Sequence, residues 1–264
     1  MSNPSTRALV TLSGAGPGDP DLITLRLQQR LQEAEVIITD RLVNPAIIRN
    51  HAQPGVKIIA AGKQGYNEHS YTQEEVTAFI IEEARSGKKV LRLKGGDVAF
   101  FSNVLDELEA LVKAGIPFEI IPGITAASGA SAYAGIPLTA RGYTQGVRFI
   151  AYNPNQAFED NTFQSLAAGS DTIVVYMAAR NLPELVSKLL EFKAAPGKKI
   201  AVVEQASTPA QKISLSTLQQ AVADFKGREF SSPSLIIIGD VLELYGRFDW
   251  FNAPGGDPVF DELR

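Results

Sequence analysis

Arg92-Leu-Lys-Gly-Gly-Asp97 follows the apolar pair Val90-Leu91, and the reading of this junction decides the fold. The apolar pair reads as the end of a strand. Two glycines and an aspartate placed there let a ligand approach bare backbone, because glycine has no Cβ to block it. Open α/β sheets bind their ligands in crevices outside such strand ends. The same pattern occurs at Gly14-Ala-Gly-Pro-Gly-Asp19 and at Pro122-Gly-Ile-Thr-Ala126. Three turns of this kind imply a binding cleft.

Working outward, apolar runs at 8–12, 36–39, 56–60, 90–93 and 118–121 read as strands. Between them, helical spacing of apolar residues predicts helices over 22–35, 72–87, 104–114 and 125–134. Thr72-Gln-Glu-Glu75 has the form of a capping box, and Gly87 and Gly115 are placed to end helices. Alternating strands and helices predict a largely parallel sheet with helices on both faces. Gly135-Ile-Pro-Leu-Thr139 interrupts the pattern and reads as a linker. Strands are then expected at 147–151, 172–176, 199–203, 213–215 and 235–238, with helices at 182–192 and 218–225. The expectation is a first α/β domain over 1–138, a second with more antiparallel pairing over 139–252, and a loosely held tail over 253–264.

The composition is globular: 264 residues, 45% apolar and 20% charged. A net charge of −4 disfavours a general nucleic-acid or anionic-membrane binder, which needs a basic face. The absence of cysteine excludes disulfides, thiolate metal sites and a cysteine nucleophile. No signal-type N-terminus or long apolar span is visible, so a cytoplasmic location is the expectation.

The first glycine turn resembles a dinucleotide fingerprint, with Asp40 following at the distance of a ribose-binding acid. Pro17 and the spacing Gly14, Gly16, Gly18 depart from G-x-G-x-x-G, so a nicotinamide site and a purely structural tight turn both stay open. Lys63 follows a glycine, but the spacing from Gly55 to Gly62 and Gln64 in the Ser/Thr position exclude a P-loop. His51 and His69 read as solvated loop residues, no metal cluster can be assembled from spacing, and there is no G-x-S-x-G elbow. Asp40-Arg41 and Gly62-Lys63 both lie at expected strand ends on the glycine-rich edge. They are read either as cleft-facing groups or as surface ion pairs of little energetic weight. Arg141 and Arg148, beside the linker, would suit a carboxylate-rich ligand, because the guanidinium fork matches carboxylate geometry.

Taken together, the motifs resemble those of the tetrapyrrole methylases, most closely the S-adenosylmethionine-dependent uroporphyrinogen-III C-methyltransferases. The resemblance is carried by Gly14-Ala-Gly-Pro-Gly-Asp-Pro20, Asp40-Arg-Leu-Val43, Ala61-Gly-Lys63 and Arg92-Leu-Lys-Gly-Gly-Asp97. It continues with Ile121-Pro-Gly-Ile-Thr-Ala-Ala127, Tyr133-Ala-Gly-Ile-Pro-Leu-Thr139 and Ser232-Pro-Ser-Leu-Ile-Ile-Ile-Gly239. It implies two α/β domains with a ligand cleft between them, a homodimer, S-adenosyl-L-methionine as methyl donor and S-adenosyl-L-homocysteine as product. By motif position the donor contacts would be Pro17, Gly95, Gly96, Asp97, Phe100, Thr125, Ala126, Met177 and Ala206. The resemblance assigns Asp40 as proton acceptor and Lys63 as proton donor, and implies C2 and C7 methylation of uroporphyrinogen III to precorrin-2 for siroheme or cobalamin. Arg41, Asn103, Asp106, Arg141 and Arg148 would meet the tetrapyrrole.

Departures gather on the side expected to face substrate. Where the family continues Pro-Phe-Ile-Phe-Gly-Arg-Gly-Gly-Glu-Glu, this chain has Val98-Ala-Phe-Phe-Ser-Asn-Val-Leu-Asp-Glu107. An arginine is thus replaced by Asn103 and a glutamate by Asp106. Thr139-Ala-Arg-Gly-Tyr143 lacks the family's histidine and aspartate, and Ala206 replaces a glycine. Besides the uroporphyrinogen-III enzyme, two other readings stand: a non-catalytic paralogue that binds the donor or a tetrapyrrole, and a methylase with another acceptor.

Overall fold

The computed structural model describes residues 10–61, 71–153 and 160–260. The chain divides into two compact units, one running to Ala126 and joined by the residues from Val259 onward, the other spanning Ala127–Pro258.

In the first unit five strands form one sheet: β1 (Val10–Gly14), β2 (Val36–Thr39), β3 (Lys57–Ala60), β4 (Val90–Lys94) and β5 (Phe118–Ile121). Their order is β3-β2-β4-β1-β5, and every pairing is parallel. The connections between them carry α1 (Leu25–Glu33), α2 (Pro45–His51), α3 (Gln73–Arg85) and α4 (Val104–Ala114). Strands of a parallel sheet covered on both faces are apolar on both sides. Val10, Leu12, Val36, Ile38 and Val90 accordingly pack with Val76, Ile80 and Leu111 of α3 and α4. Ile37, Leu91, Leu93 and Ile121 pack with Leu27 and Leu31 of α1 and Ile47 and Ile48 of α2. All five strands point the same way, so the turns after β1, β2, β4 and β5 share one edge of the sheet.

Local signals account for most helix ends. The Thr72 hydroxyl accepts from the Glu75 amide at 3.2 Å, and the Glu75 carboxylate accepts from the Thr72 amide at 2.7 Å, completing the capping box at α3. Thr72→Ala is expected to cost about 1 kcal/mol, read as a lowered urea midpoint with unchanged slope. Gly115, at φ +67°, ends α4 in the left-handed conformation.

Glu119 ties the edge strand β5 to its surroundings. Its carboxylate accepts from Thr11 at 3.0 Å, from Arg26 at 2.6 Å and from Arg30. Burial opposes the charge, but the bonds from Arg30, Arg26 and Thr11 outweigh it and hold the carboxyl down to about 2, against an ordinary 4.5. Because the folded value lies below the unfolded one, this stabilisation is complete above pH 4.5 and is lost as pH falls toward 2. Glu119→Gln is therefore expected to be less stable than wild type at neutral pH, with the gap in urea midpoint closing across that acid window. A gap independent of pH would refute the linkage.

The second unit holds β6 (Val147–Ala151), β7 (Thr172–Tyr176), β8 (Lys199–Glu204), β9 (Lys212–Thr217) and β10 (Ser234–Ile238) in the order β6-β7-β10-β8-β9. Only β6–β7 is parallel; β7–β10, β10–β8 and β8–β9 are antiparallel. One face is covered by α6 (Asp160–Ala168), α7 (Leu182–Glu191) and the short α8 (Ala221–Asp224). The other carries α5 (Ala126–Tyr133), whose Ala127 and Ala130 pack with Val174, Ala201, Val203 and Ile237.

Two expectations about organisation change. The division falls after Ala126 rather than at 138, because the small residues of α5 bury themselves in the second sheet's core. The end of the chain is not loosely held throughout: the Gly255 amide donates to the Pro209 carbonyl at 3.1 Å, and Phe260 is buried and groups with the first unit. Two helices went unread in the sequence, α2 and α6.

Candidate functional site

The glycine turns of the first unit interlock. Gly16 and Gly96 exchange both backbone hydrogen bonds, at 3.0 and 2.8 Å, and the Ala15 amide donates to the Lys94 carbonyl at 2.8 Å. A Cβ on Gly14 would lie 2.4 Å from the Gly96 oxygen, and one on Gly123 would lie 2.2 Å from the same atom. Three turns from three strands thus meet at distances that only glycine permits. Asp97 clamps them: its buried carboxylate accepts from the Ala99 amide at 2.7 Å and from the Gly123 amide at 2.8 Å. The sequence placed Asp97 among donor contacts; the geometry gives its carboxylate the work of tying the β4 turn to the β5 turn.

Around this knot the remaining first-unit candidates take different positions. Pro17 is buried, while Gly95, Gly96, Thr125 and Ala126 are half-buried. Phe100 is exposed. Gly96 has φ +66°, and a Cβ built there would approach nothing nearer than the Ala126 nitrogen at 3.7 Å. The space beside the Gly96 Cα is therefore sterically open. Arg41 is half-buried, and Asn103 and Asp106 are exposed around the start of α4, with Asn103 at φ +52°. Lys63 lies outside the described residues, as does His69.

Asp40, just past β2, heads a buried polar network. Its Oδ1 accepts from Arg92 Nη2 at 2.6 Å, and its Oδ2 lies 3.9 Å from Lys94 Nζ. Arg92 Nε donates to Glu107 Oε1 at 2.9 Å, Lys94 Nζ to the same oxygen at 3.2 Å, and Gln73 Nε2 to it at 3.2 Å. Asp40 keeps 31% of its side chain exposed, whereas Arg92, Lys94 and Glu107 keep 2%, 3% and 0%. Burial and the neighbouring Arg92 push the Lys94 amine below its ordinary value, while Asp40 and Glu107 pull against them. Burial also opposes the Arg92 charge, but Asp40 and Glu107 outweigh it and hold the guanidinium above its ordinary value. Two cations and two carboxylates form a neutral set with one open end, at Asp40.

Sequence reading missed Arg92, Lys94 and Glu107 as members of this network. A signal existed: Arg92 and Lys94 stand two apart on β4, so they share the face that Val90 presents to the α3/α4 core. Cations in a strand covered on both faces demand buried carboxylates.

In the second unit, unusual backbone gathers where β7 and β8 end. Met177, Gln205 and Ser207 all have positive φ, at 60°, 45° and 62°. Such strain is costly for non-glycine residues and concentrates at ligand sites. Met177 is exposed and Ala206 is buried between Gln205 and Ser207. β7 and β8 flank β10 in the same direction, so both ends lie on one edge of this sheet. Of the two arginines expected to meet substrate, Arg141 is exposed. The Arg148 guanidinium is committed within its own unit, to Asp171 at 2.9 Å and the Ser165 hydroxyl at 2.7 Å. Among the described residues no cluster of His, Cys, Asp or Glu could hold a metal ion, and no helix is long and apolar enough to cross a membrane.

Known proteins share this fold. The sequence profile of the tetrapyrrole (corrin/porphyrin) methylases matches residues 10–222. The siroheme synthase of Azotobacter vinelandii is 40% identical over 95% of this chain, and that of Psychromonas ingrahamii 40% identical over 98%. The match takes in 53% and 54% of those proteins, so the chain spans about half the length of the curated relatives it matches. Among solved structures, the uroporphyrin-III C-methyltransferase of Thermus thermophilus, complexed with S-adenosylhomocysteine, superposes with TM-score 0.75 at 33% identity, covering 89% of this chain and 99% of that one. A cobalt precorrin-4 methyltransferase of cobalamin biosynthesis superposes with TM-score 0.78 at 26% identity, covering 89% and 96%.

Proposed function

The chain belongs to the tetrapyrrole (corrin/porphyrin) methylases, and from that premise we propose that it methylates uroporphyrinogen III at C2 and C7 to give precorrin-2, on the route to siroheme or cobalamin. The observation that carries this reading is the knot of Gly14, Gly96 and Gly123, open at Gly96, with the exposed end of the Asp40 network on the same sheet edge. The likeness to a uroporphyrin-III methyltransferase holding S-adenosylhomocysteine supports it.

S-adenosylmethionine, when bound, supplies a methyl group on a sulfonium, a good leaving group, and departs as S-adenosylhomocysteine. Pro17, Gly95, Gly96, Phe100, Thr125, Ala126, Met177 and Ala206 would hold it, with Asp97 keeping the turns in place. The pyrrole carbon is already electron-rich, so the chain's main task is to align the reactants and exclude water. After methylation the macrocycle must shed a proton, and Asp40 is the carboxylate placed to take it. Lys63 keeps the donor role that the resemblance implies. Arg41 and Arg141 would meet the carboxylates of the acceptor, a local attraction that a net charge of −4 does not prevent. The protein is read as a homodimer on the same resemblance.

The test is direct. Purified protein is mixed with methyl-labelled S-adenosylmethionine and freshly reduced uroporphyrinogen III, and label is counted in the tetrapyrrole. Two labelled methyl groups per macrocycle are expected. Donor binding by calorimetry without transfer to any tetrapyrrole would instead establish a binding protein, the reading that Asn103 in the arginine position favours.

A further inference from the structure

Asp40 is the exposed terminus of a four-charge set whose other members are buried. Both cations next to it come from β4: Arg92 at 2.6 Å and Lys94 at 3.9 Å. Left alone, two positive charges in a water-poor setting would hold Asp40 ionised so firmly that it could not take up a proton, because a nearby opposite charge favours the charged form. Glu107 of α4 prevents this. It is fully buried, accepts from both cations at 2.9 and 3.2 Å, and is held from α3 by Gln73 at 3.2 Å. Among the described residues, these are the charged and polar groups that β4, α4 and α3 contribute to the set; Arg41 follows Asp40 in its own turn.

We propose that Glu107 is a positioning residue: by offsetting one of the two positive charges of Arg92 and Lys94 it keeps the Asp40 carboxylate basic enough to accept a proton, while Arg92 fixes the carboxylate's orientation. This rests on the reading of Asp40 as proton acceptor. It explains why an acid with no exposed surface stands in the first turns of α4, where its cost in burial is met only by the pairing with Arg92 and Lys94. Two substitutions move the balance in opposite directions. Glu107→Gln keeps the shape and one acceptor oxygen but leaves Asp40 facing both cations without the charge that offsets them. Lys94→Met removes one cation and leaves Arg92 paired.

The experiment titrates the Asp40 carboxyl in the full chain by carbon-13 NMR, its resonance identified by its loss in Asp40→Asn. Glu107→Gln is expected to lower its midpoint by about one unit and Lys94→Met to raise it by a similar amount. The double variant Lys94→Met/Glu107→Gln should return near wild type. The acid limb of methyl transfer should move with the titration. Shifts in the same direction, or none, would overturn the proposal, because general loosening of the fold cannot produce opposite signs. Should Glu107→Gln alone not fold, the double variant decides, because it must titrate below Lys94→Met. Absence of methyl transfer by the wild-type chain would sink the catalytic reading, and the titration would still show whether the charges are coupled.

Discussion

Gly123→Ala is expected to destabilise the first unit by about 3 kcal/mol or more, the upper end of what forced overpacking costs. The new methyl group would lie 2.2 Å from the Gly96 carbonyl oxygen and 2.8 Å from the Gly14 carbonyl carbon. Both are backbone atoms inside a hydrogen-bonded knot, so no side chain can swing aside. The Gly96 oxygen also accepts from the Gly16 amide, so pushing it away breaks the bridge between the first two turns. Donor binding should therefore fall together with stability. Gly115→Ala is the control. Unlike Gly123 it has a positive φ, +67°, and nothing lies within 4 Å of its Cβ, so it should cost only the left-handed backbone penalty of about 1–2 kcal/mol and leave donor binding unchanged. Urea midpoints and calorimetric titration with S-adenosylhomocysteine decide the matter. Equal effects of the two substitutions would mean that the knot gives way.

Asp40→Asn is expected to slow methyl transfer about 10²- to 10⁴-fold, the range that a positioned proton acceptor contributes. The amide keeps the size of the carboxylate and can still accept from Arg92, but it cannot take a proton. Because Asp40 is not among the groups assigned to the donor, the affinity for S-adenosylhomocysteine should stay close to wild type. Single-turnover transfer to uroporphyrinogen III, measured beside that affinity, separates the two effects. Transfer within threefold of wild type would remove Asp40 from the chemistry, whatever the stability of the variant.

Much of this was legible before any coordinates. Strands β2, β5, β6 and β7 and helix α4 have the bounds that apolar runs and the stop at Gly115 predict, because each is bracketed by residues that end regular structure. The three glycine turns read correctly as one edge, since a parallel sheet leaves them no other place. What failed to show was short or tertiary. Helix α2 runs only from Pro45 to His51, too few residues for periodicity, although Asn44 capping the Ala46 amide and Pro45 at its first position were available signals. Helix α6 places Phe163, Leu166 and Ala167 at helical spacing among residues that otherwise read as polar loop. The boundary moved because a helix of alanines and glycine looks like a connector until the sheet that buries it is known. The pairing of Arg92 and Lys94 with Glu107 spans a strand and the helix after it, and only packing brings them together. Arg148 shows another contact that only packing reveals. Its place beside the linker pointed to a ligand, but Asp171 and Ser165 lie near enough to satisfy its guanidinium.

The return of the last residues to the first unit bears on how the molecule is made. During synthesis the strand order of the N-terminal sheet is complete once Ile121 has emerged, yet Val259 and Phe260 reach it only after the whole of the second unit has been translated. Assembly of the N-terminal half thus begins first and finishes last, and that half, unlike the second, cannot be excised as one uninterrupted stretch of chain.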